Sequence, residues 1–152
     1  WTLRARLVDD VERLERDPEQ MLARAAEGLP KLHVIRVANR LRARRPELFD
    51  RDPIVARYAA IDVDTRALAF GRGADVVVAV PRLCATMARA GEHGALGFDA
   101  SAFADARMPL ERARYVNLVT GDIVDARATG VLLLAELWQR FPAALLERAD
   151  EL

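Results

Sequence analysis

The run Asp75-Val76-Val77-Val78-Ala79-Val80 constrains the fold more than any other part of the chain. Consecutive valines lose side-chain freedom in a helix and pack well on a pleated surface, so the run reads as a strand. It lacks the polar alternation of a half-wet strand, which predicts burial on both faces. Pro81 ends it, and Gly71-Arg72-Gly73 ahead of it reads as a tight turn. Tyr58 to Val63 forms one further candidate strand, and Leu68, Phe70 and their neighbours form another. The turn Asp64-Thr65-Arg66 separates them.

The chain before Pro53 has a different period. Leu3, Leu7, Val8, Val11 and Leu14 recur at helical spacing between charged residues. Asp17-Pro18-Glu19-Gln20 is a helix start in which Asp17 caps, Pro18 suits the first turn and Gln20 completes a capping box. Met21, Leu22, Ala25 and Ala26 make a short apolar face, and Gly28 is placed to end it. A third helix is expected from about Pro30 to Arg44. Its stripe is Val34, Val37, Ala38 and Leu41, joined by Leu32 and Ile35, and Pro46 stops it. The cluster Arg40, Arg42, Arg44, Arg45 has no interleaved aromatics and is followed at once by acidic residues. It reads as a solvated helix end favoured by the helix dipole, not as a nucleic-acid stripe.

Residues 85–112 show no clear period and are expected to hold a long excursion or a short helix. Arg114 to Val119 reads as a strand, Thr120-Gly121-Asp122 as a turn and Val131 to Leu134 as a strand start. Ala135 to Arg140 reads as a helical turn and Phe141 to Leu146 as a final strand. The fold class that follows is α+β: N-terminal helices, then an antiparallel β-sandwich-like C-terminal domain. The boundary is expected between a helical segment 1–52 and a β-rich domain 53–152.

Hydrophobic residues make up 52% and charged residues 30%, enough apolar material for a core. With 23 basic and 23 acidic side chains the net charge is +0, so no global field steers nucleic acid or an anionic membrane to the chain. No apolar run approaches the roughly 20 residues of a membrane span. The single cysteine, Cys84, allows no intramolecular disulfide and reads as a packed, inert thiol. His33, His93 and Cys84 have no metal-ligand spacing, and no cofactor motif is present; Gly71-Arg72-Gly73 is too short for a phosphate loop. The start Trp1-Thr2-Leu3-Arg4 has neither a signal-peptide core nor an initiator Met, which reads as a chain cut from something longer.

Several segments, in order, resemble the C-terminal region of maltooligosyltrehalose synthases, members of the α-amylase-like glycoside hydrolases. Leu29-Pro30-Lys31-Leu32-His33-Val34, running on to Leu41-Arg42-Ala43-Arg44-Arg45-Pro46-Glu47-Leu48-Phe49, is similar to that family's "K-L" helix ending in "L-R-R-x-x-P-E-L-F". Ala69-Phe70-Gly71-Arg72 is similar to "A-F-x-R", and Val78-Ala79-Val80-Pro81-Arg82-Leu83 to "V-x-V-P-R-L". Leu118-Val119-Thr120-Gly121 is similar to "D-L-L-T-G". Leu134-Ala135-Glu136-Leu137 with Phe141-Pro142-Ala143-Ala144-Leu145-Leu146 is similar to "L-A-E-L-L…F-P-V-A-L-L". No one motif is specific; their order over residues 29–146 carries the resemblance. The stretch from Tyr58 to Leu68 is shorter than the family pattern. The region around Gly97-Phe98-Asp99 lacks its tryptophan-Asp-Thr, and Tyr115 stands where a tryptophan is common.

The resemblance implies a parent enzyme that converts the reducing-end α-1,4 linkage of maltooligosaccharides to an α,α-1,1 trehalose linkage by intramolecular transglucosylation. Retaining chemistry needs two carboxyl groups about 5 Å apart, which in this family sit at barrel strand ends. A (β/α)₈ barrel takes about 250 residues, so the chain is expected to be a non-catalytic C-terminal fragment, inactive alone. Asp99, Asp105, Glu111 and Asp122 lie in turns or polar faces and are not assigned catalysis. Lys31, the sole lysine, is the one candidate substrate contact, its ammonium able to donate to sugar hydroxyls; the alternative is a surface lysine. The expected partners are the catalytic barrel of the parent chain and, through it, maltooligosaccharide. The exposed helical face makes a homodimer of the isolated fragment an expectation, and the resemblance implies a cytoplasmic location. A stand-alone carbohydrate-binding or structural interaction module is the alternative. Against it, aromatics are 6% of the chain and no strand carries two on one face.

Overall fold

The computed structural model describes residues 2–50, 56–83, 88–90 and 96–149. Its fold is α+β. Helix α1 (Thr2–Arg13) turns Leu7 and Val11 against Leu29 of helix α3 (Leu29–Arg44), with Leu14 and Leu32 packed beside them. Between them, α2 (Pro18–Ala23) starts on Asp17, whose carboxylate accepts from the Gln20 amide at 3.0 Å. The Gln20 side chain donates to the same carboxylate at 2.7 Å. The Asp17 N–H is already given to the Leu14 carbonyl at 2.8 Å, so the reciprocal half of the expected box does not form. A 3₁₀ turn, Ala25–Glu27, ends on Gly28 at φ 85, a left-handed dihedral that glycine adopts without steric cost.

The inward stripe of α3 is Leu29, His33, Val37 and Leu41. It is rotated from the expected one: Val34 is half-buried, while Ala38 and Ile35 face water. His33 replaces an aliphatic residue because its ring has a polar partner, described below. The helix ends at Arg44, and Pro46–Phe49 adds a 3₁₀ turn.

One six-stranded antiparallel sheet follows, in the order β1-β2-β3-β10-β7-β8. Its strands are β1 (Tyr58–Ile61), β2 (Ala67–Arg72), β3 (Val76–Pro81), β7 (Arg114–Asn117), β8 (Ile123–Asp125) and β10 (Ala144–Ala149). The valine run is the interior strand β3, and both its faces are used. Val76 and Val78 pack with Val37, Leu41, Leu48, Val119, Phe141 and Leu145 in a core that joins the helices to the sheet. Val77 and Ala79 face a second core built on Phe103, Met108, Tyr115, Leu134, Trp138 and Leu146.

Short elements cover that second face. They are β4 (Ala88–Ala90) paired with β5 (Leu96–Phe98), a 3₁₀ turn Ala100–Phe103, β6 (Arg107–Pro109) paired with β9 (Val131–Leu133), and helix α4 (Leu134–Leu137). Within the featureless stretch 85–112 the described residues hold the three-residue strands β4, β5 and β6 and one 3₁₀ turn, each too short to show a period. The last strand is Ala144–Ala149, shifted toward the C-terminus from the expected Phe141–Leu146. Pro142 has no N–H to give a ladder. Glu147 and Arg148 can join because the strand pairs with β3 on one side and β7 on the other.

Candidate functional site

On the sheet face that carries Tyr115 and Leu146, Ile61, Ala69, Val77 and Ala79 pack into the second core, but the end of β1 and β2 beside Arg57 and Gly73 carries only small residues. Ala59, Gly71 and Ala74 leave an open groove of about 830 Å³, walled by Pro109, Leu110, Glu111 and Tyr115. Arg57 and Asp62 also line it, and both are exposed. The Tyr115 hydroxyl donates to the Glu111 carbonyl at 3.1 Å, and Arg148 donates to the Glu111 carboxylate at 2.9 Å, fixing that wall. Burial pushes the Tyr115 phenol up, so it stays protonated at neutral pH. Gly71 has an ordinary extended conformation, and a Cβ there would meet only the Val76 carbonyl at 3.7 Å and the Ala59 carbonyl at 4.0 Å. Neither its dihedral nor its neighbours demand glycine. A smaller hollow of about 220 Å³ lies between Asn117, Asp125 and Leu132–Leu133, with Asp122 and Glu136 at its edge.

The carboxylates with shifted pKa values are all shifted down, each by an arginine hydrogen bond first. Arg24 lowers Asp10 and Glu27, Arg45 lowers Glu47, Arg66 lowers Asp64 to about 2 and Arg127 lowers Asp125 to about 2. A general acid for glycoside chemistry needs the opposite shift. One consequence is measurable. Asp64 starts from 3.8, so the charged form is favoured by folding. Its contribution to stability is present above about pH 4 and is lost as pH falls through about 2. An NMR titration is expected to place the Asp64 carboxyl midpoint near pH 2, and Arg66→Gln to return it to the ordinary range.

The basic cluster of α3 does more than cap a helix end. Arg40 pairs with Glu15 and Arg44 with Glu147. Arg45 reaches Glu47 at 2.5 Å and Asp75 at 2.9 Å, with Glu147 at 3.6 Å. Arg42 and Arg72 lie over the Phe49 ring at 5.6 and 5.0 Å. Of these, the Arg44 and Arg45 pairs tie the end of α3 to β10 and to the turn before β3.

Lys31 lies exposed on α3. His33 is fully buried between that helix and the sheet. Its Nε2 is 2.7 Å from the Val119 carbonyl, which fixes that nitrogen as the donor, and its ring meets Phe141 edge-on at 5.9 Å. Cys84 and His93 lie outside the described residues. Asp99 holds the Ser101 amide at 3.1 Å, Asp122 pairs with Arg140 at 2.7 Å and Asp105 is exposed. Among the described residues no group of three or more His, Cys, Asp or Glu side chains could hold a metal, and no helix is long and apolar enough to cross a membrane.

One surface escaped the sequence reading. On the helix-facing side of the sheet, Tyr58 (58% exposed) stacks on Phe70 across two strands, with ring centres 4.9 Å apart. Leu68 (44% exposed) follows beside Val80. Leu83 (69% exposed) sits just beyond at φ 57, uncommon for a residue with a Cβ. Neither strand holds two aromatics on one face; the pairing arises from the register.

No protein-family model and no curated protein matches this chain. Two solved structures do: maltooligosyltrehalose synthase from Arthrobacter ramosus (TM-score 0.69) and a point mutant of the same enzyme (TM-score 0.68), each at 23% identity. Each alignment covers 97% of this chain and 17% of the synthase chain. At that identity the likeness establishes the fold, that of a small part of a much larger protein.

Proposed function

We propose that this chain is the non-catalytic C-terminal module of a maltooligosyltrehalose synthase, a parent enzyme that turns the reducing-end α-1,4 linkage of maltooligosaccharides into an α,α-1,1 linkage. The observation that carries the reading is the fold likeness over 97% of this chain to 17% of such a synthase. The downward shifts of Asp10, Glu27, Glu47, Asp64 and Asp125 support it: these carboxylates are held by arginines and are poor proton donors.

In this reading the module covers apolar surface of the catalytic barrel, and Tyr58, Leu68 and Leu83 are the contact it offers. Lys31 stands as the candidate contact to substrate, and a cytoplasmic location follows from the parent's role. The isolated chain is expected to form a dimer through the uncovered apolar face. The test is to incubate the purified chain with maltooligosaccharides and follow reducing ends and trehalosyl products. The expected result is no conversion. Measurable product from the chain alone would overturn the assignment.

A further inference from the structure

We infer that the groove over β1–β3 is a saccharide subsite on the module; the inference rests on the reading above and deepens it. A protein interior packs to the density of an organic crystal, and most of this sheet face does so, with Ile61, Ala69, Val77 and Ala79 packed among Tyr115, Leu146 and Trp138. At the end of β1 and β2 marked by Ala59 and Gly71 the same layer opens into a groove of about 830 Å³, a size that small-molecule sites commonly have. The emptiness is not imposed by the chain. Gly71 has room for a side chain and needs no positive φ, so a bulkier strand residue would fill the floor and give a smooth surface.

The polar groups around the groove set the ligand class. Arg57 donates; Asp62 and Glu111 accept. Glu111 is already neutralised by Arg148, which leaves Arg57 and Asp62 as a balanced pair of opposite sign. A phosphate or other anion requires an excess of donors and positive charge, and the described residues of the groove offer none. A neutral polyol fits: its hydroxyls take donors and acceptors together, and its ring carbons lie on the Ala59, Ala74 and Leu110 surface. A short α-1,4 glucan is the polyol the parent reaction supplies, so the subsite would hold chain residues remote from the reacting end.

The test is an amide-resolved NMR titration of the full 152-residue chain with maltopentaose. The expected result is saturable shifts at Ala59, Gly71 and Ala74. Gly71→Val is expected to weaken binding at least tenfold with an unchanged unfolding midpoint, and Asp62→Ala to weaken it severalfold. No shifts at millimolar sugar, shifts confined to the Tyr58–Phe70 face, or wild-type affinity in Gly71→Val together with Asp62→Ala would each overturn the subsite. Those outcomes leave the module assignment standing, because that falls on a different result, catalysis by the chain alone.

Discussion

Trp138→Ala is expected to destabilise the chain by about 3–5 kcal/mol, the range for removing a large buried aromatic. The indole is buried at the centre of the core beneath the sheet. It meets Phe103 edge-on at 4.8 Å and Phe98 at 6.4 Å, and its Nε1 donates to the Ala79 carbonyl at 3.4 Å. Truncation therefore opens a cavity, removes two aromatic contacts and takes a donor from the interior strand β3. A domain of this size has total stability of about 5–15 kcal/mol, so the variant should be close to unfolded when warm. Urea unfolding read by circular dichroism measures it. A midpoint within error of the parent would mean that α4 and the short strands do not form one core with the sheet.

The second large effect is at His33. His33→Ala is expected to cost about 3 kcal/mol: roughly 1–3 for the Val119 carbonyl left without its donor, plus the cavity. His33→Leu separates the two terms, because leucine refills most of the space but cannot donate. It should recover part of the loss and remain about 1–2 kcal/mol below the parent. The Val119 carbonyl lies just after β7, and the Val119 amide donates to Asn117 Oδ1 at 3.1 Å. The histidine thus ties α3 to the end of the sheet through one polar contact inside an apolar interface. If His33→Leu equals or exceeds the parent in stability, the hydrogen bond contributes nothing net and the packing alone places α3.

These two positions show which parts of the fold the sequence discloses. Helices α1 and α3 and strand β3 are long or uniform enough for periodicity to act, and each lies near its expected place. The fine rotation of α3 does not follow from apolarity, because the buried position went to a histidine whose partner lies 86 residues away. Strands β4, β5, β6 and β8 have three residues each, shorter than one readable alternation. The end of β10 was hidden for another reason. Glu147 and Arg148 look like a solvated tail, yet Glu147 pairs with Arg44 and Arg148 with Glu111 once the strand is in the sheet.

The candidate surfaces were less legible than the fold. A groove floored by small residues leaves no motif: Ala59 and Gly71 are unremarkable until β1 and β2 pair, and Ala74 until the turn between β2 and β3 places it beside them. The Tyr58–Phe70 stack depends on the pairing of Tyr58 with Arg72 and of Ala60 with Phe70, which spacing along the chain does not disclose. The ordered motifs over residues 29–146 were readable because they needed only order and identity, and they pointed to the protein of which one small part has the fold of this chain.

The central claim, that this chain is one module of a larger trehalose-forming synthase, is tested most directly by sequencing the coding region upstream of the Trp1 codon. The account predicts a continuous open frame encoding a (β/α)₈ barrel, with acidic residues at the ends of its strands. A start codon immediately before Trp1, with no barrel in frame, would contradict it and leave an independent small protein whose role rests on its groove and its apolar face.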